Sequence, residues 1–554
     1  MEAGQWLGLM PARKPESGFE ESIVRRRESL HPMSSTQPSV FRPEQLRASA
    51  LMVLGTASHV GKSLVAAAFC RLLAEAGYRV APFKAQNMAL NSFVTRDGGE
   101  IGRAQVAQAE AAGVEPHVDM NPILLKPMGG VSQVVVEGTP IGVMAARDYY
   151  AAKDRLWPRV AAAYGRLAAR FDRIVLEGAG SPVEINLTEQ DLTNLRMARL
   201  ADAACILVAD IERGGVFAQL VGTWELMEPE DRARVVGFVI NKFRGDATLL
   251  DPGLRFLAER TGVPVLGVLP YRADLQIDQE DSLGIDATAT DVADLGRADV
   301  LDVAVARLPG LSNFTDFWPL ARVPDVRVRY VERGCDVGMP DLFILPGTKT
   351  TVRDLAWLRH TGVAERIIRM ADDPDGPLVL GLCGGFQMLG MRIDDPDGVE
   401  SSEAIVPGLG LLDVATRFAT TKARHRVTGT VRGAGPPVFG YEIHMGQTRR
   451  GAGSAAWLNL TRQSTGEVVE DGAVGAAGRV FGTYLHGLFD SLPFTAVLVD
   501  RLRARRGLKP LDASGWREHR AFLAGRYAAL AEWLRTHLDL GPVWAALGHR
   551  DARG

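Results

Sequence analysis

Short apolar runs of strand length recur along the chain, separated by stretches with helical spacing. ALMVLG (50–55) is followed by VAAAFCRLLAEAG (65–77) and RVAPF (79–83). RIVLEGAG (173–180), ACILVAD (204–210), VVGFVINKF (235–243) and VPVLGVLP (263–270) continue the series. The runs are β-branched and apolar throughout, which predicts strands covered on both faces, as in a parallel sheet flanked by helices. A second series comprises LDVAVARL (301–308), VRVRYV (326–331), DLFILPG (341–347), PLVLGLCGG (377–385), GYEIHMG (440–446) and RVFGTYLHGLF (479–489). Residues 1–48 hold Pro, Ser and a charged cluster with little periodicity, and read as a disordered extension. The expected organisation is an α/β domain over 49–285, a linker over 286–300, a second α/β domain over 301–494 and a helical segment over 495–554.

Composition narrows the function classes. Hydrophobic residues make up 46% and charged residues 23% of 554, ordinary values for a globular protein. With 63 basic and 66 acidic residues, the net charge of −3 gives no electrostatic case for a nucleic-acid partner. No apolar run reaches the roughly 18 residues of a membrane span. Cys70, Cys205, Cys335 and Cys383 lie far apart, which excludes a disulfide framework and a Cys-x-x-Cys zinc site. A reducing cytoplasm is the expected setting. Cys70 and Cys205 sit in apolar runs and read as core residues. Only nine residues are Lys, and Lys62, Lys84, Lys126 and Lys242 fall in Gly- or Asn-containing turns after apolar runs. A compact ammonium at such turns suits phosphate chemistry.

ALMVLGTASHVGKSLVAAAFC reads as strand, Gly-rich loop and helix. Gly55, Gly61, Lys62 and Ser63 bracket a loop whose N–H groups would wrap phosphate oxygens of ATP, with Lys62 on the terminal phosphates and Ser63 on Mg²⁺. The loop is one residue longer than the usual spacing. Glu177, at the end of its strand, is expected to hold Mg²⁺ directly or through water. Asn241 is a candidate to read adenine, with Lys242 or Arg244 on phosphate or an acidic substrate. Lys84, Asn87, Arg103 and Lys126 stand in donor-rich loops suited to a large poly-carboxylate ligand.

LVLGLCGGFQMLG (378–390) places Cys383 on a tight strand-to-helix turn, the cysteine form of a nucleophile elbow. A helix N-terminus beside such a cysteine favours the thiolate. LPGTKTT (345–351) offers oxyanion-hole N–H groups at Gly347 and Thr348. His486 in FGTYLHGLFD is the expected general base.

G-L-C-G-G-F-Q with a late Gly-Thr-Tyr-Leu-His resembles class I glutamine amidotransferases, and the N-terminal set resembles dethiobiotin-synthetase-like ligases. Together with APFKAQNMALNS, EIGRAQ, MNPILLKP, EGAGSPVEINL, DIERGGVFA and NKFRGD, they resemble the cobyric acid synthases of cobalamin biosynthesis over about residues 50–490. That resemblance implies MgATP-dependent amidation of a corrinoid, adenosylcobyrinic acid a,c-diamide, at its b, d, e and g carboxylates. L-glutamine is the implied nitrogen donor, with Cys383 as nucleophile and His486 shuttling protons. The nearest relatives in kind are the a,c-diamide synthases; partitioning-type P-loop switch ATPases resemble the phosphate loop alone. Other amidotransferases carry an acid two residues after the histidine, where this chain has Leu488. Glu442 in GYEIHMG is the candidate replacement.

Overall fold

The computed structural model describes residues 48–275, 299–475, 477–511 and 519–548. The expected extension, save its last residue, and the expected linker, save its last two, lie outside the described residues.

Six strands of the N-terminal half form one parallel sheet: β1 (Ser49–Gly55), β2 (Val80–Phe83), β3 (Arg173–Glu177), β4 (Ala204–Asp210), β5 (Val235–Phe243) and β6 (Val265–Pro270). Their order is β6-β5-β4-β1-β3-β2, so β1 and the loop after it lie inside the sheet. The unbroken apolar run of β1 follows from cover on both faces. Met52 and Leu54 join one core, Leu51 and Val53 the other, and all four are fully buried. Helix α1 (Lys62–Glu75) follows the phosphate loop, and α2 (Arg103–Ala111) packs beside it.

The C-terminal half carries β7 (Leu301–Ala306), β8 (Val326–Val331), β9 (Leu342–Leu345), β10 (Leu378–Leu382), β11 (Val414–Val431), β12 (Pro437–Arg450), β13 (Ser454–Ala455), β14 (Ala473–Gly475), β15 (Val480–Thr483) and β16 (Leu485–His486). One sheet has the order β8-β7-β9-β10-β15-β14-β13, parallel from β8 through β15. A second sheet is built on the long antiparallel ribbon of β11 and β12. Its pairing breaks between Phe418 and Ala423, and the intervening segment carries Lys422 to Glu100 of the N-terminal half (2.7 Å). Helix α3 (Gly384–Leu389) follows β10.

Helix α4 (His519–His537), read from sequence only as a helical tail, returns to the N-terminal half. Tyr527, Leu530, Trp533 and Leu534 share a core with Phe69, Cys70 and Leu73 of α1. That cover explains why α1 is apolar on more than one face. β6 admits the end of α4 through Gly267, where any Cβ would collide with the His537 carbonyl. Among the described residues, no helix is long and apolar enough to cross a membrane.

Candidate functional site

The loop between β1 and α1 turns at Gly61, whose φ of 101° lies in the left-handed region. A Cβ there would collide with the Asn241 amide nitrogen. Asn241 Nδ2 donates to the Val60 carbonyl (2.8 Å), and its Oδ1 accepts from the Lys242 N–H (2.8 Å). The Asn241 amide, the candidate for the adenine contact, thus also braces the phosphate loop. Lys242 Nζ clamps the same loop at the His59 carbonyl and pairs with Asp210 at the end of β4 (2.8 Å each). Lys62 Nζ bridges the Ala57 carbonyl (2.8 Å) and the Gly180 carbonyl (3.1 Å), tying the loop after β1 to the loop after β3.

Ser63 Oγ donates to Glu177 Oε1 (2.7 Å). The same carboxylate accepts from Lys84 Nζ (3.0 Å) and Gln108 Nε2 of α2 (2.5 Å). Burial opposes the charge on Glu177, but Lys84, Ser63 and Gln108 outweigh it and hold the carboxyl below its ordinary value. Two hard oxygens thus stand side by side at the strand ends, the donor type that suits Mg²⁺. No group of three or more His, Cys, Asp or Glu able to hold a metal occurs among the described residues. A Mg²⁺ ion fits here as one shared with phosphate oxygens and water, its usual manner of binding.

The expected substrate donors are buried and internally engaged. Asn87 Nδ2 donates to Gln105 Oε1 (2.9 Å). Lys126 Nζ donates to Ser92 Oγ (2.9 Å) and Glu100 Oε1 (2.7 Å). Arg103 lies over the Phe93 ring at 5.4 Å. Lys84 is on Glu177, so each of the four has a partner within the protein.

Cys383 stands between β10 and α3 with φ 49° and ψ −106°, a strained backbone for a residue with a side chain. Its neighbours must be small. A Cβ on Gly385 would collide with the Leu345 carbonyl, and one on Gly384 would stand 2.6 Å from Thr348 Cγ2. A Cβ on Gly347 would stand 2.8 Å from His486 Cε1. The glycines therefore bring the elbow, the 347–348 loop and the imidazole into contact. Gly384, the first residue of α3, lies beside Thr348 and carries one of the helix's first N–H groups, which lack an intrahelical acceptor.

β10 and β15 are parallel neighbours, with Leu382 opposite Thr483. This register delivers Cys383 and His486, about a hundred residues apart, to the same end of the sheet, where Cys383 Sγ donates to the Ile443 carbonyl at 3.7 Å. His486 Nδ1 meets Asp316 Oδ2 at 2.6 Å, and Asp316 Oδ1 accepts from the Gly487 N–H at 3.1 Å. Burial works against a charged imidazole, but Asp316 and Cys383 outweigh it and raise the His486 pKa to about 10. By contrast, burial pushes the Cys70 and Cys205 thiols up, as befits inert core residues.

Asp316 is the acid that sequence reading missed. Glu442 is not: its carboxylate pairs with Arg462 (2.5 Å) and faces His444 (3.5 Å). In GYEIHMG the side chains of Tyr441 and Glu442 point to opposite faces of the strand, and the Tyr441 face meets His486. Tyr441 lies opposite His486 in the β12–β16 pairing, and its ring stacks on the imidazole at 5.5 Å.

Comparisons with known proteins divide the chain in two. Residues 51–283 match the CobQ/CobB/MinD/ParA nucleotide binding domain, and residues 302–494 match the CobB/CobQ-like glutamine amidotransferase domain. The cobyric acid synthase of Pelotomaculum thermopropionicum is 50% identical over 515 residues, covering 90% of this chain and 97% of its own. That of Sorangium cellulosum is 52% identical over 483 residues, covering 84% and 92%. That of Klebsiella pneumoniae is 48% identical over 508 residues, covering 90% and 98%.

Proposed function

The chain belongs to the cobyric acid synthase family, and on that premise we propose that it amidates the b, d, e and g carboxylates of adenosylcobyrinic acid a,c-diamide with ATP and glutamine. The domain over 49–285 transfers the terminal phosphate of ATP to a substrate carboxylate, giving an acyl phosphate. Ammonia released in the domain over 301–494 displaces that phosphate and leaves an amide. The linker over 286–300 joins the two, and the 495–554 segment closes the first through α4.

In the glutaminase half, the Cys383 thiolate attacks the glutamine carboxamide carbon. Gly347, Thr348 and Gly384 N–H groups take the oxyanion. Protonated His486 gives its proton to the departing ammonia, then takes one from the water that hydrolyses the thioester to glutamate. Asp316 holds the imidazole at Nδ1 so that Nε2 serves the sulfur.

In the ligase half, the phosphate loop over Gly55–Ser63 cradles the nucleotide phosphates and Lys62 neutralises charge that grows on the transferred group. Mg²⁺ bound to Ser63 and Glu177 would supply further charge neutralisation on phosphate. In this reading Asn241 contacts the nucleotide, and Lys84, Asn87, Arg103 and Lys126 hold the carboxylates of the corrinoid, Lys84 beside Glu177 and Lys126 beside Glu100.

The observation that carries this reading is the joining, in one chain, of a Cys383–His486–Asp316 site to a Ser63–Glu177 phosphate loop. A P-loop switch ATPase has no use for the first. Cys383→Ala tests the division of labour: glutamine-dependent synthesis is abolished while synthesis from high ammonia persists. Equal loss with both nitrogen donors would refute the two-site reading.

A further inference from the structure

We propose that Asn91 and Asn313 are positioning residues of the glutaminase: each accepts from the main-chain N–H of the residue that follows the other, across the boundary between the halves, fixing the turn that holds Asp316 against His486. The proposal rests on the reading that Cys383 and His486 hydrolyse glutamine.

The clasp is reciprocal. Asn313 Oδ1 accepts from the Ser92 N–H (3.1 Å), and Asn91 Oδ1 accepts from the Phe314 N–H (3.3 Å). Both amides are buried, at 3% and 1% exposure, where an N–H deprived of its acceptor is costly. Asn313 has φ 53° and ψ 40°, a left-handed conformation that Asn tolerates better than most residues. Its carbonyl accepts from the Asp316 N–H (3.0 Å), so the clasped residue closes the turn Phe314–Phe317 in which Asp316 sits.

The same short segment holds the other support of His486. The Tyr441 hydroxyl donates to the Ser92 carbonyl (3.1 Å), and Phe93 meets the Tyr441 ring edge-on at 4.9 Å. Tyr441 in turn stacks on His486. Residues 91–93 of the N-terminal half therefore brace the imidazole from two sides: its acid and its aromatic neighbour. Behind them, the Arg103 N–H donates to the Asn91 carbonyl (3.2 Å) at the start of α2, and Gln108 of α2 donates to Glu177. Hydrogen bonds and the α2 backbone thus run from the phosphate loop to the general base. The glutaminase site is complete only when the ligase domain is docked on it.

The test uses the full chain and follows glutamate release, with KM and kcat separated, alongside ammonia-dependent amide formation. Asn313→Gly keeps the left-handed backbone and removes the acceptor; Asn313→Asp keeps both. Asn313→Gly is expected to lower kcat for glutamine by about 10- to 100-fold, the scale of a small misplacement of a catalytic group. KM for glutamine and ammonia-dependent synthesis should stay unchanged, and Asn313→Asp should restore most of the turnover. Wild-type kcat in Asn313→Gly overturns the proposal. So does loss of both reactions together in Asn313→Gly and in Asn91→Ala, since that reports structural collapse. Cys383→Ala separates the two levels: if it still hydrolyses glutamine, the underlying reading fails. If Cys383→Ala is dead and Asn313→Gly is unimpaired, only the clasp is refuted.

Discussion

Replacing Asp316 with Asn keeps the shape of the His486 contact and removes its charge. The contact is 2.6 Å and buried. At an effective dielectric near 20, unit charges at that distance attract by about 6 kcal/mol. Desolvation offsets part of this, and removing one partner of a buried pair typically costs about 3–5 kcal/mol. If that loss falls on the protonated imidazole, kcat for glutamine drops by about 10²- to 10⁴-fold. An Asn amide also offers Nδ1 a donor, favouring the wrong tautomer. The assay is glutamate release by the full chain, with ammonia-dependent synthesis unchanged as the control for folding. A pH series gives a second check. The folded pKa of His486, about 10, lies above the ordinary histidine value of ~6.5. The pair therefore stabilises the fold fully below about pH 6.5 and loses that contribution as pH rises towards 10. The stability gap between wild type and Asp316→Asn should shrink over that window. Turnover within a few-fold of wild type would refute the role of Asp316, and so would a stability gap that widens with pH.

Other perturbations separate the remaining parts. Lys62→Ala should abolish synthesis from both glutamine and ammonia while glutamate release persists, read by parallel product and glutamate assays. Glu442→Gln breaks the partly buried pair with Arg462 and should lower stability by up to about 3 kcal/mol in denaturant melts, without a specific loss of glutaminase turnover. Deleting residues 512–554 uncovers the α1 face built on Phe69 and Leu73, and should destabilise the nucleotide-binding half, measured as loss of ATP-dependent activity and a lower Tm. With one phosphate loop and one elbow for four amidations, partly amidated rings should accumulate early in a time course by mass spectrometry.

Much of the architecture could be read because parallel strands covered on both faces write unbroken apolar runs, and glycine elbows write their own spacing. Cys383 and His486 were legible on those terms. Asp316 was not: it lies 170 residues from His486, in a short turn after β7, and only the sheet order brings them together. Glu442 shows the same limit from the other side. Period-two alternation separates Tyr441 from Glu442, but which of them meets His486 depends on the pairing of β12 with β16. Lys62, Lys84 and Lys126, which the scarcity of lysine singles out, are buried. The partners of Lys84 and Lys126, Glu177 and Glu100, are internal carboxylates that no local pattern pairs with them. The placement of α4 was likewise beyond local pattern, although the apolar breadth of α1 required some cover.

The mass of the corrinoid product is the most direct measurement. The full chain is incubated with ATP, Mg²⁺, glutamine and either adenosylcobyrinic acid a,c-diamide or the unamidated ring. Four new amides on the a,c-diamide are expected. An untouched a,c-diamide, with only two amides added to the unamidated ring, would contradict this and point to the earlier diamide-forming reaction.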